Sequence, residues 1–161
     1  MILIKNAFKT HIILNLRFYF FCIFEVMNNK DLNNDKLIKY WVNSSDDDFE
    51  TMHAMYNSKK FSWALFIGHL MIEKLLKAYY VKIKSDYPPF IHNLLRLAEK
   101  SNIELTDDLK EQLLTVTAFN INARYDDYKM SFKMKCTPEF TSEWIEKLIK
   151  LRKWIKTLML Q

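Results

Sequence analysis

Glycine is nearly absent from this chain: 161 residues contain one, Gly68, beside three prolines. A β-rich fold of this length needs many more turn-formers, so the composition favours long helices with few sharp corners. A glycine-rich phosphate loop is excluded as well, since a single glycine cannot make one. Cysteine is scarce. Cys22 and Cys136 stand far apart in no metal-ligand or redox spacing, which points to a reduced, cytoplasmic protein. Histidine is sparse too, with four residues and none after His92. No His-Glu-x-x-His occurs, Ser, His and Asp nowhere form a recognisable nucleophile motif, and no DNA sequence-reading motif is present.

What is present is apolar. Half of the residues are hydrophobic, and the length suits one domain with a sizeable core. The expected fold is all-α, an antiparallel bundle of roughly five helices. Residues 1–34 read as an N-terminal extension and residues 35–161 as the bundle, with no internal repeat and no low-complexity segment.

Residues 12–24 are strongly apolar but carry Asn15 and Arg17. The run is shorter than the roughly 20 residues that span a bilayer, and no small-residue cleavage site follows it. An extra packing helix, membrane attachment and a true translation start at Met27 are the three readings. The start at Met27, where a polar leader begins, fits best, and membrane attachment fits least.

The positive charge is concentrated. Residues 129–161 hold eight Lys/Arg against three Glu, a net of +5, and the remainder of the chain cancels. The last helix is therefore the electropositive element, which permits contact with RNA, nucleotide phosphate or an acidic partner. An ordinary solvated face is the plainer explanation.

Helical spacing predicts a first helix over residues 37–57, with Leu37, Trp41, Ser45, Asp48, Met52 and Met55 on one stripe. Asp48, a carboxylate among core-facing neighbours, needs a donor; Asp46, Asp47 and Glu50 should face water. A second helix over residues 60–84 is apolar on nearly every side, as suits a central element. Gly68 costs it roughly 1 kcal/mol relative to Ala, which close approach of another helix would offset. His69, Glu73 and Lys77 form one polar strip at i, i+4, i+8. After Pro88-Pro89, a short third helix is expected over residues 90–101 with His92 in its first turn. A fourth is expected from the cap Thr106 to about Asn120. Residues 121–137 are the least regular, and Thr137 with Pro138 opens the last helix.

Glu50 and His53 have the spacing of two metal ligands on a helix face, but di-iron bundles need two such motifs and two further Glu. No metal and no cofactor is expected, and His53 reads as a surface or packing residue. A more informative ordering is Trp41, Asp48-Phe49, Phe66, His69, Glu73-Lys74-x-x-Lys77-Ala78, His92-Asn93-Leu94 and Asn122-Ala123-Arg124-Tyr125-Asp126-Asp127. Taken together, from about Leu37 to Leu158, it resembles the HEPN domain family of small prokaryotic helical proteins.

The resemblance implies a helical bundle, often a homodimer, and often encoded beside a small nucleotidyltransferase as a toxin–antitoxin-like pair. Many members are metal-independent ribonucleases whose motif is an Arg followed within a few residues by a His, paired across the dimer interface. Here the chain departs from the pattern. Arg124 matches, but Lys129, Met130 and Ser131 stand where the His would be. A group that titrates near neutral pH is missing from the motif, and Tyr128, with an ordinary pKa of about 10, is a poor base. The chain resembles instead an Arg-Tyr-Pro-Asp branch, with Asp126 in place of Pro.

The expected function is therefore nucleotide- or RNA-associated and non-catalytic or weakly active. Arg124 would hold phosphate through its guanidinium fork, Tyr125 and Asp127 would shape the loop, and His92 would be a further phosphate contact. Arg124 paired with Asp48 or Asp127, and His92 as a hydrogen-bonding residue at a helix start, are the structural alternatives. Glu73 and Lys74 are read, with Asp48, as structural polar residues held in an intramolecular or dimer-interface pair. Two other functions stay open. One is a ribonuclease using Arg124 with Tyr128 or His92 in place of the lost His. The other is a structural dimerisation or partner-binding module using the apolar surface of the second helix.

Overall fold

The computed structural model of the chain describes residues 33–161. The apolar run 12–24, Cys22 and the start at Met27 lie outside the described residues. Asn34–Gln161 forms one compact unit, built from six helices: α1 Asn34–Asn57, α2 Phe61–Lys84, α3 Leu94–Lys100, α4 Asp107–Arg124, α5 Ser131–Lys135 and α6 Pro138–Leu158. Among the described residues all regular structure is helical, and no helix is long and apolar enough to cross a membrane.

α2 is the central rod, packed against each of the other five helices. Its all-round apolar sequence demands this, because a helix without a polar face must be covered on every side. Leu65, Met71, Ile72, Leu75 and Leu76 are fully buried, against Met52 of α1, Leu94 and Leu97 of α3, Leu113 and Val116 of α4, and Leu148, Leu151 and Ile155 of α6. Gly68 is where two neighbouring helices press on α2. A Cβ there would overlap Leu148 Cδ1 and stand 3.1 Å from Met52 Sδ.

The scarcity of glycine has a structural cost. Lys59, Ser85, Asn102 and Met130 all adopt left-handed backbone, with φ between 51° and 57°. Side-chain-bearing residues thus make the turns that glycine would make more easily.

Three boundaries differ from the expectation. α3 starts at Leu94, because Asn93 caps it by accepting from Arg96 N at 2.8 Å. His92 therefore lies ahead of the helix. α4 runs past Asn120 to Arg124, which puts those two residues one turn apart on one face. A sixth helix, α5, forms inside the irregular stretch, because the Asp126 carboxylate accepts from Phe132 N and Lys133 N and so supplies its first turn with an acceptor.

Other expectations hold. Thr106 and Thr137 accept from Leu109 N and Phe140 N, as N-caps do. His53 packs edge-on against Phe49. Asp46 does not simply face water. It accepts from Arg152 and Lys156, both at 2.7 Å, and ties α1 to α6.

Cys136 is buried, and burial, with Asp126 nearby, pushes its thiol up to about 11. That leaves it a packing residue with little thiolate character.

Candidate functional site

The polar strip on α2 is the core of the candidate site. His69, Glu73 and Lys77 are all buried. Lys77 Nζ donates to Glu73 Oε1 at 2.7 Å, and its ammonium lies 5.1 Å from the Trp41 ring. His69 Nδ1–H donates to the Val116 carbonyl at 3.2 Å. Its Nε2 faces Glu73 Oε2 at 3.1 Å and the Asn120 carboxamide at 2.9 Å.

From the loop before α3, His92 donates through Nδ1 to both carboxylate oxygens of Glu73, at 3.0 and 3.2 Å. The His92 side chain is 67% exposed, so Nε2 is the nitrogen left for solvent or a ligand. The loop is held there because Leu94 N donates to Thr117 Oγ1 of α4.

Glu73 thus accepts from Lys77 and His92 and faces His69 Nε2 while only 4% exposed. Burial alone would raise its pKa. The hydrogen bonds from His69 and His92, with Lys77 beside it, outweigh burial and hold the carboxyl well below the usual carboxylate range.

The strip continues to Arg124. Asn120, which reaches His69 through its side chain, accepts from Arg124 Nε through its backbone carbonyl at 2.9 Å. The guanidinium stands 5.6 Å from the Phe66 ring and 5.2 Å from the Tyr125 ring. Among the described residues no carboxylate pairs with it. The expected partners are taken elsewhere: Asp48 faces Lys74 Nζ at 2.6 Å, and Asp127 accepts from Lys129 N and from the backbone and hydroxyl of Ser131. Those Ser131 bonds, the hydroxyl first, lower the Asp127 pKa.

Glu73 and Lys74 do not pair with each other, because successive helical residues point about 100° apart. Lys74 turns to α1, where burial raises the Asp48 pKa despite the ammonium beside it. Tyr128 is 90% exposed and hydrogen-bonds to none of these groups.

Asn120 and Trp63 were not among the sequence-level candidates. An Asn one turn before the motif Arg was the available signal for Asn120. A sequence profile described as HEPN domain matches residues 38–158. The chain belongs to the HEPN domain family. No curated protein and no solved structure matches it.

In this HEPN domain, Arg124 of the motif and His92 of the His-Asn-Leu segment mark the two exposed ends of one hydrogen-bonded line. Between them run Asn120, His69 and Glu73. Membership supports a nucleotide- or RNA-associated role at the level of the family.

Proposed function

We propose that this HEPN protein binds a phosphate of RNA or of a nucleotide at Arg124, and that it does so with little or no catalysis. One observation carries the reading: Arg124 is held by Nε to Asn120 while no carboxylate among the described residues neutralises its fork. A guanidinium anchored through Nε presents its remaining N–H donors in the geometry that oxyanions accept. Tyr125 and Asp127 set the loop that follows, and the basic stretch 129–161 adds attraction for a polyanion. In this reading the protein works as a homodimer, with or without a small nucleotidyltransferase as its partner in a toxin–antitoxin-like pair.

Spacing favours binding over cleavage. Arg124 contacts α2 at Phe66 and His92 contacts it at Glu73. These anchors lie about 10 Å apart along the axis at about 1.5 Å per residue. A base and a phosphate clamp acting on one phosphorus must each come within about 3 Å of their atoms, which one protomer does not readily provide. Isothermal titration of a short RNA should give binding that Arg124→Ala weakens about 10- to 100-fold, the value of a charge-assisted contact. Equal affinity of parent and variant would end the reading.

A metal-independent ribonuclease has one observation in its favour. His92 is oriented by a buried carboxylate through Nδ1 and keeps Nε2 outward, the arrangement that readies a histidine as a general base. RNA cleavage in EDTA that is abolished by both Arg124→Ala and His92→Ala would install this reading. No cleavage by the parent protein would remove it.

A further inference from the structure

The surroundings of Arg124 suit more than a phosphate. Tyr125 flanks the guanidinium and is 73% exposed, and Trp63 meets Phe66 edge-on at 5.7 Å while 46% exposed. Trp63, Phe66, Arg124 and Tyr125 therefore form one unbroken run of contacts, from the first turn of α2 to the end of α4. Trp63, Arg124 and Tyr125 are exposed and offer flat faces on which a base can stack. The two carboxylates that follow, Asp126 and Asp127, do not repel a polyanion from the patch as strongly as free ones would. Asp126 is occupied by the amides of Asp127, Phe132 and Lys133, and Asp127 by Lys129 N and Ser131.

We propose that this patch is a stacking platform for an unpaired nucleotide, its base against Tyr125 or Trp63 and its phosphate on Arg124. The proposal rests on the phosphate reading above and adds the class of ligand. In a duplex the base faces are covered by their neighbours, so a platform of this kind selects single strands or free nucleotides. A chain of phosphates without bases would meet Arg124 but nothing to stack on.

The test is titration of the full chain with a short oligouridylate and with an abasic ribose-phosphate chain of the same length. A stacked base contributes about 5- to 150-fold, so the parent should prefer oligouridylate by about that ratio. Tyr125→Leu and Trp63→Leu should bring the ratio toward one, and Tyr125→Phe should keep it. Thermal melting of each variant establishes that it folds.

Equal affinity of the parent for both chains, with Arg124→Ala weakening both, overturns the platform and leaves the phosphate reading standing. Binding of neither chain overturns both. Conversion of a dimer to a monomer by Tyr125→Leu would assign the patch to an interface between copies, and would also overturn the platform.

Discussion

Removing the Glu73 carboxylate tests the central feature of the site as physics before it is tested as function. Glu73→Leu puts an apolar side chain of similar size in place of the carboxylate that Lys77 and His92 donate to and that His69 faces. Lys77 and His69 are themselves buried, so they cannot recover their hydrogen bonds from water. Breaking a buried ion pair by deleting one partner costs about 3–5 kcal/mol. That is a large part of the roughly 5–15 kcal/mol by which a domain is stable. Glu73→Gln keeps the shape and one acceptor oxygen, and should cost about 1–3 kcal/mol, the scale of an imperfectly satisfied buried group.

Urea unfolding at neutral pH, followed by helical circular dichroism, measures both. The pH dependence gives a second handle with a definite sign. The folded-state pKa of Glu73 is depressed relative to an unfolded value near 4.5. The native state therefore binds fewer protons than the unfolded state between those values, so the stabilisation is whole above pH 4.5 and declines as pH falls toward the folded value. The gap between parent and Glu73→Gln should shrink as the pH falls below 4.5. A double variant, Glu73→Leu with Lys77→Met, should regain part of the loss, because an apolar replacement removes the stranded ammonium along with its partner. A Glu73→Leu cost under about 1 kcal/mol, against the 3–5 expected, would refute the claim that these charges are mutually dependent.

Three further outcomes follow from the packing and the turns. Gly68→Val should destabilise by about 1–3 kcal/mol through overpacking against Leu148 and Met52; a raised melting temperature would show that α6 is not pressed onto α2 there. Ser85→Gly should stabilise by about 0.5–1 kcal/mol, since Ser85 is left-handed at the C-cap of α2, and a lower denaturation midpoint would contradict the strain assigned to it. Asp126→Ala should release Phe132 N and Lys133 N, raise amide exchange in α5 and weaken RNA binding at Arg124, with unchanged exchange in α5 as the contrary result.

The helical class and the central position of α2 were legible because they depend on local pattern. An all-round apolar helix has one solution, and the strip His69, Glu73, Lys77 announces itself by spacing alone. The same holds for the Thr106 and Thr137 caps. What escaped were relations set by long-range geometry. His92 joins Glu73 from 19 residues away, and Asn120 joins His69 across 51. No periodicity encodes such pairs, because they exist only once α3 and α4 dock on α2. The pairing of Arg124 with Asp48 or Asp127 failed for a related reason. Sequence proximity cannot show that an aspartate is already spent on the amides of its own loop.

The line from His92 to Arg124 also explains why its buried part belongs in a bundle that could have been wholly apolar. Leu at position 69, 73 or 120 would pack, but would let α4 slide or rotate on α2 with little penalty, since apolar surfaces match in many registers. Val116 O and the Asn120 side chain must both meet His69, and this occurs in one register only. That register puts Arg124 beside Phe66, one turn beyond Asn120, with its fork outward. Stability and positioning are then separable. His69→Leu, combined with Glu73→Leu and Lys77→Met, should leave a helical, cooperatively folding protein in which RNA binding at Arg124 is weakened without any change to Arg124 itself. Retention of full affinity in that folded triple variant would mean that the apolar contacts alone fix the register, and that the buried charges serve another end.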